Sequence, residues 1–167
     1  MELTIRSLNP ELLYKWKESF QSLQFHRPDD YYTQCLHENQ TEARVTLLAF
    51  IGQDLAGVAH LKFESDYPYF KEHDIPEIND LNVFPAFRQR GIANQIMAEF
   101  EAIAARKHTQ IGIGVGLFKS YAAAQRIYCR RGYIPDGRGL MYNNEEVKAG
   151  DHVRVDDDLC LYFTKEL

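Results

Sequence analysis

The stretch from Glu77 to Phe100 constrains this chain most. Glu77-Ile78-Asn79-Asp80-Leu81-Asn82-Val83 alternates as a strand does, and Pro85 stops it, because proline cannot donate to a sheet ladder. Arg88-x-x-Gly91-x-Ala93 follows and opens a helix read from Gly91 to Lys107, with Ile92, Ile96, Phe100 and Ile103 as its apolar stripe. A strand, a short basic turn with a glycine, and a helix start together make an anion site. The first helical N–H groups lack intrahelical acceptors, and the helix dipole is positive there. Gly91 has no Cβ and lets a ligand approach the backbone. Arg88 and Arg90 bring charge suited to a diphosphate.

The rest of the chain narrows the class of protein. Its 167 residues fit one domain, 1–167, with a sizeable core. Apolar content of 45% and charged content of 26% are those of an ordinary soluble protein. No apolar run approaches a membrane span and the N-terminus lacks a signal-peptide pattern, so a cytoplasmic protein with no membrane partner is expected. A net charge of −5 argues against nucleic acid as a partner. Cys35, Cys129 and Cys160 form no CxxC pair and are odd in number, which predicts free thiols. The six histidines show no ligand spacing, so no metal is expected.

In chain order, Met1 to Ser7 reads as a strand. Asn9-Pro10-Glu11 is a helix start, and Leu12, Leu13, Trp16, Phe20 and Leu23 repeat at helical spacing behind it. Asp29 to Glu38 predicts a second helix. Val45–Ile51 and Leu55–Phe63 read as an antiparallel pair joined by Gly52-Gln53-Asp54. Residues 64–76 read as a polar, aromatic loop. In Gln110–Leu117 glycine occupies every second position inside a strand, so a helix or ligand is expected close against it. Ser120–Arg131 reads as a helix ended by Gly132, with Tyr133–Pro135 extended and 136–139 turning. Leu140–Tyr142 adds a few strand residues, 143–155 reads as loop, and Leu159–Thr164 is the closing strand.

The order β-α-α-β-β-β-α-β-α-β-β, with Arg88-x-x-Gly91-x-Ala93 at its centre, resembles the GNAT superfamily of acetyltransferases over essentially the whole chain. A second local likeness lies in Tyr121-x-x-Ala124-x-x-Ile127-Tyr128 followed by Gly132-Tyr133, where the family often carries asparagine in place of Tyr121. The resemblance implies an α/β fold of the α+β type. Its twisted mixed sheet would have six to seven strands, flanked by about four helices, with splayed central strands.

It also implies an enzyme: an N-acetyltransferase that moves an acetyl group from acetyl-CoA to a primary amine by direct attack in a ternary complex. The pantetheine arm falls to Leu81, Asn82 and Val83, and the diphosphate to Arg88, Gln89, Arg90, Gly91, Ile92, Ala93 and Asn94. Tyr121 stands at a further cofactor position. Tyr128 takes the general acid's place. Glu77 precedes Arg88 by the spacing of the catalytic glutamate in histone-type members, while Asp80 or water are alternative bases.

The acceptor pocket is expected to gather Phe25, His26, Asp29, Tyr31, Tyr67, Tyr69, His73, Tyr142 and the Asp156–Asp158 run. Aromatics with acids suit a small cationic or aromatic amine. The chain would act as a monomer or homodimer. A non-catalytic acyl-CoA sensor, or an enzyme acting on protein N-termini or lysines, are the other readings.

Overall fold

A computed structural model describes residues 2–167, so the Met1 end of the predicted first strand lies outside the described residues. The strands are β1 (Leu3–Ser7), β2 (Arg44–Ile51), β3 (Asp54–Lys62), β4 (Glu77–Val83), β5 (Gln110–Gly116), β6 (Ile134–Tyr142), β7 (Glu145–Glu146) and β8 (Leu159–Glu166). The helices are α1 (Pro10–Ser22), α2 (Asp29–Gln40), α3 (Pro68–Glu72), α4 (Ile92–Ala104) and α5 (Ala122–Arg130), with 3-10 turns at Pro85–Phe87 and Lys119–Tyr121. Hydrogen bonding orders the strands β1-β2-β3-β4-β5-β8-β6-β7. This is the expected mixed α/β architecture, with one strand and one short helix more than the sequence indicated.

The chain forms two compact units. The first takes the residues up to Lys62 and Asn79–Phe100; the second takes Phe63–Ile78 and Glu101–Leu167. Strand β4 starts in the second and finishes in the first.

In the first unit the helix-start chemistry works as written. The Leu12 N–H donates to the Asn9 side chain at 2.9 Å, and Pro10 occupies the first turn, where no amide donor is needed. The apolar face of α1 then buries Leu12, Trp16 and Phe20 among Tyr32, Leu48 and Val58. Strands β2 and β3 pair antiparallel from Arg44↔Lys62 to Ile51↔Asp54, and Gly52 supplies the left-handed φ of +63° that their two-residue turn requires. Gly57 lets β4 close on β3: a Cβ there would stand 2.8 Å from the Asn82 carbonyl oxygen.

Strand β4 departs from a simple alternating strand. Its parallel ladder with β5 holds two register pairs, Glu77↔Gly112 and Ile78↔Ile113. Asp80 then takes φ +53°, a left-handed conformation uncommon outside glycine. The strict alternation that placed Glu77, Asn79 and Leu81 on one face is therefore interrupted at Asp80.

The second unit explains the glycines of β5. A Cβ at Gly112 would collide with the Phe70 ring, one at Gly114 with Tyr162, and one at Gly116 with Tyr121. The space is filled by aromatic side chains rather than by a backbone. Tyr67 stacks on Tyr162 at 3.9 Å between ring centroids, and Phe70 meets Tyr162 edge-on at 5.3 Å.

This packing also corrects the loop reading of 64–76. Pro68 starts a helical turn and the fully buried Phe70 anchors it. Residues 134–142 are one strand rather than two pieces. The register with β8 shifts between Pro135 and Leu140, and Gly137 and Gly139 take positive φ within that bulge. The 143–155 loop contains β7, which pairs Glu146 with Met141. Helix α4 is shorter than expected, ending at Ala104, and buries Ile92, Ile96, Met97 and Phe100.

Candidate active site

The basic turn has the geometry its residues dictate. The 3-10 turn Pro85–Phe87 ends β4, and the Arg88 Nε–H donates to the Val83 carbonyl at 3.0 Å, bracing turn against strand. Gln89 and Gly91 both take left-handed φ, +61° and +77°. Nothing lies within 4 Å of where a Gly91 Cβ would be, so the backbone there is open to a ligand. The first carbonyl that α4 uses near this end is that of Gly91, taken by the Gln95 N–H at 3.1 Å. The amides of Ile92 and Ala93 precede it and have no carbonyl four residues back within the helix. Arg88, Gln89, Arg90 and Asn94 are exposed around them. Backbone donors at a helix start, with two exposed arginines on the same turn, are the chemistry that suits an anion.

The first unit also holds a chain of polar groups, buried at Thr46 and His60 and half-buried at Tyr31 and Asp80. Thr46 Oγ1 lies 2.8 Å from His60 Nδ1, His60 Nε2 lies 3.1 Å from Tyr31 Oη, and Tyr31 Oη donates to Asp80 Oδ2 at 3.2 Å. The Asp80 carboxylate can only accept, so the Tyr31 proton points to it. His60 must then donate from Nε2 and accept at Nδ1. Asp80 also takes the Arg27 guanidinium at 3.4 Å and the Asn82 side-chain amide at 3.1 Å. Of the acceptor residues expected in this unit, only Tyr31 joins this chain. Asp29 pairs with Lys17 at 2.7 Å, Phe25 packs on Phe20, and His26 is exposed.

In the second unit Tyr128 is buried near the end of α5. The helix closes with the Tyr133 N–H on the Tyr128 carbonyl (3.0 Å) and the Gly132 N–H on that of Cys129 (3.1 Å), with Gly132 at φ +89°. That cap fixes the Tyr128 backbone. Its phenol makes no hydrogen bond among the described residues, and burial pushes its pKa up to about 12. Tyr121 lays its ring over Gly116 and donates its hydroxyl to Asp157 at 2.6 Å. Glu77 is buried, 6% exposed, and accepts from Ser65 Oγ at 2.5 Å; the same Ser65 oxygen accepts the Tyr67 N–H at 3.0 Å.

Tyr67 donates to Asp136 at 2.8 Å, and Tyr142 donates to Asp156 at 3.1 Å. His73 packs on Tyr69 at 4.2 Å. Tyr67 and Tyr69 line a cleft of about 290 Å³ with Arg138, Met141, Asn144 and Glu146. The Asp156–Asp158 run is thus tied into its own unit: Asp156 and Asp157 hold two tyrosine hydroxyls, and the Asp158 carbonyl accepts the Asn143 N–H.

Residues 9–133 match the model of the acetyltransferase (GNAT) family. The chain belongs to that family. It is therefore an acetyltransferase. No curated protein sequence matches it. Among solved structures, this acetyltransferase resembles an N-acetyltransferase from Staphylococcus aureus Mu50, with a TM-score of 0.72, 15% identity and 99% of each chain covered. It also resembles Arabidopsis thaliana Naa50 in complex with a bisubstrate analogue, CoA-Ac-MVNAL (TM-score 0.68, 15% identity, all of both chains covered). A third is AAC(6')-Iy in complex with CoA-S-monomethyl-acetylneamine (TM-score 0.67, 20% identity, 85% of this chain and 97% of that one). At such identities these likenesses establish the GNAT fold.

Among the described residues of this GNAT protein, no group of His, Cys, Asp or Glu is placed to hold a metal, and no helix is long and apolar enough to cross a membrane. Sequence reading missed Ser65, Thr46 and His60. One signal was available: His60 interrupts the apolar run Val58-Ala59-His60-Leu61 in a strand otherwise buried. Its partner Thr46 is its cross-strand register mate.

Burial first, then the nearby Arg44 charge, pushes His60 down to about 3. The folded protein thus keeps it neutral, while an unfolded histidine binds a proton below about 6.5. More protons are then bound by the unfolded state, so stability falls as pH drops from about 6.5 towards 3, by at most about 1.4 kcal/mol per pH unit. His60→Gln is expected to remove this contribution. Urea midpoints at pH 7 and pH 4 check it: parallel losses in variant and wild type would contradict the assignment.

Proposed function

We propose that this chain is an acetyl-CoA-dependent N-acetyltransferase whose acceptor is a small cationic or aromatic amine. The observation that carries the reading is the loop from Arg88 to Ala93, where the backbone over Gly91 is open to a ligand, the first amides of α4 follow it, and the exposed Arg88 and Arg90 lie on the same turn. A diphosphate fits that chemistry. Leu81, Asn82 and Val83 would carry the pantetheine arm along β4, and Tyr121 is a further candidate cofactor residue. The bisubstrate analogues held by the Arabidopsis protein and by AAC(6')-Iy both contain CoA, which supports this donor.

In the proposed reaction the amine is deprotonated by Glu77, and its nitrogen attacks the thioester carbonyl carbon. The C–N bond forms as C–S breaks, and the departing sulfur takes a proton from Tyr128. The acceptor ammonium loses two protons overall: Glu77 passes the first to solvent, and the second leaves the attacking nitrogen for the Tyr128 phenolate, restoring the phenol that protonated the CoA thiolate. A phenol raised to about 12 stays protonated throughout the neutral range, so the acid is always present. The cleft lined by Tyr67, Tyr69 and Glu146 combines aromatic faces with a carboxylate, chemistry that suits a small amine.

Thermal shift with acetyl-CoA tests the reading. Wild type should rise in midpoint. Arg88→Glu should bind about 10–100-fold more weakly, since it replaces a charged donor with a repelling group. Equal shifts in both, or no shift in either, would refute it. Arg88→Glu also breaks the bond to the Val83 carbonyl, so its ligand-free midpoint should fall by the equivalent of about 0.5–1.5 kcal/mol, and each shift is read against the same protein's own ligand-free midpoint.

A further inference from the structure

The first unit contains a cation site already filled by the protein's own side chain. The Arg27 guanidinium sits 5.4 Å from the centre of the Tyr31 ring and 3.4 Å from Asp80 Oδ2. An aromatic face and a carboxylate are the two features that recognise an organic cation. The receiving groups are held rigidly. Tyr31 Oη is fixed between His60 Nε2 and Asp80, and His60 is 1% exposed and held from behind by Thr46. Asn82 fixes the other Asp80 oxygen. The occupant is not held so firmly. The Arg27 side chain is 44% exposed, its contact with Asp80 is long, and it lies in the segment joining α1 to α2. A half-exposed ion pair of that length contributes little to stability and exchanges easily.

We propose that Tyr31 and Asp80 receive the ammonium group of the acceptor, and that Arg27 is a resident stand-in which the acceptor displaces. The proposal rests on reading the chain as an amine acetyltransferase. It adds a docking site made wholly of first-unit residues. Arg27 then sets a threshold: a ligand must be cationic and able to lie on the Tyr31 face to compete with it. Neutral and anionic amines are excluded at this step.

The test uses the full chain without acetyl-CoA, with ethylammonium chloride as the probe and sodium chloride at equal ionic strength as the control. Arg27→Ala empties the site. In ethylammonium at about ten times its dissociation constant, R27A should gain about 3–6 °C in melting midpoint over its sodium chloride control. Wild type should gain less. Arg27→Ala with Asp80→Asn should gain nothing. Equal gains in the single and double variants would overturn the site. Should the double variant not fold, Arg27→Lys supplies the contrast: lysine keeps the site filled and suppresses the gain, and a gain equal to that of R27A overturns the proposal. None of these readouts involves the acetyl donor, so they stand or fall separately from the Arg88→Glu result.

Discussion

Tyr128→Phe should lower turnover about 100- to 1,000-fold, within the range general acid catalysis supplies, while acetyl-CoA still binds. The Tyr128 hydroxyl takes no part in holding the fold together. It makes no hydrogen bond among the described residues, so deleting it breaks no structural contact. Its ring stays, packed 6.3 Å from that of Tyr133, and the Gly132 cap holding the backbone is untouched. The melting midpoint should therefore move by less than about 1 kcal/mol equivalent. Free-thiol release at saturating acetyl-CoA measures turnover, and thermal shift measures binding. A variant that turns over like wild type would remove Tyr128 from the chemistry. A variant that neither binds nor melts normally would make it a structural residue. An acyl-CoA sensor, which needs no acid, would show no dependence on the hydroxyl at all.

The second large effect is on stability. Trp16→Ala should cost about 3–5 kcal/mol, a substantial share of the roughly 5–15 kcal/mol that holds a domain of this size together. Trp16 is fully buried and meets Phe20, Tyr31, Tyr32 and His60 at ring separations of 4.8 to 5.9 Å. Those four contacts come from α1, α2 and β3, so its removal opens a void shared by three elements. The void also lies against Tyr31, which holds Asp80, and against His60, which holds Tyr31. Trp16→Phe offers a control. The indole N–H finds no acceptor among the described residues, so phenylalanine gives up volume but relieves a buried unpaired donor and should cost markedly less. Urea unfolding followed by circular dichroism checks both. A loss below about 1 kcal/mol for W16A would mean the aromatic cluster is not the keystone of the first unit.

Pro85, Arg88, Gly91 and Ala93 announce the strand, the turn and the helix start because each acts on its own backbone. Proline ends pairing, glycine opens the left-handed region, and the first amides of a helix are unpaired whatever surrounds them. Gly132 closing α5 and Gly52 turning the hairpin are legible for the same reason. These are short-range effects, and contiguous residues encode them completely.

The polar machinery is different in kind. Thr46 meets His60 only once β2 and β3 are in register, and His60 meets Tyr31 only once α2 lies against them. Asp80 was legible as a strand residue, but its left-handed φ was not. Nothing in Asn79-Asp80-Leu81 demands it, and the groups that hold the Asp80 side chain, Tyr31 and Arg27, lie about fifty residues away in sequence. The glycines of β5 signalled that something lies close. That it is Phe70, Tyr162 and Tyr121 followed from helix α3, strand β8 and the turn before α5 coming to one face. Local chemistry wrote the anion cradle into one stretch of chain. Which carboxylate is held by what, and which cation it meets, was decided by contacts between residues that only folding brings within hydrogen-bonding distance.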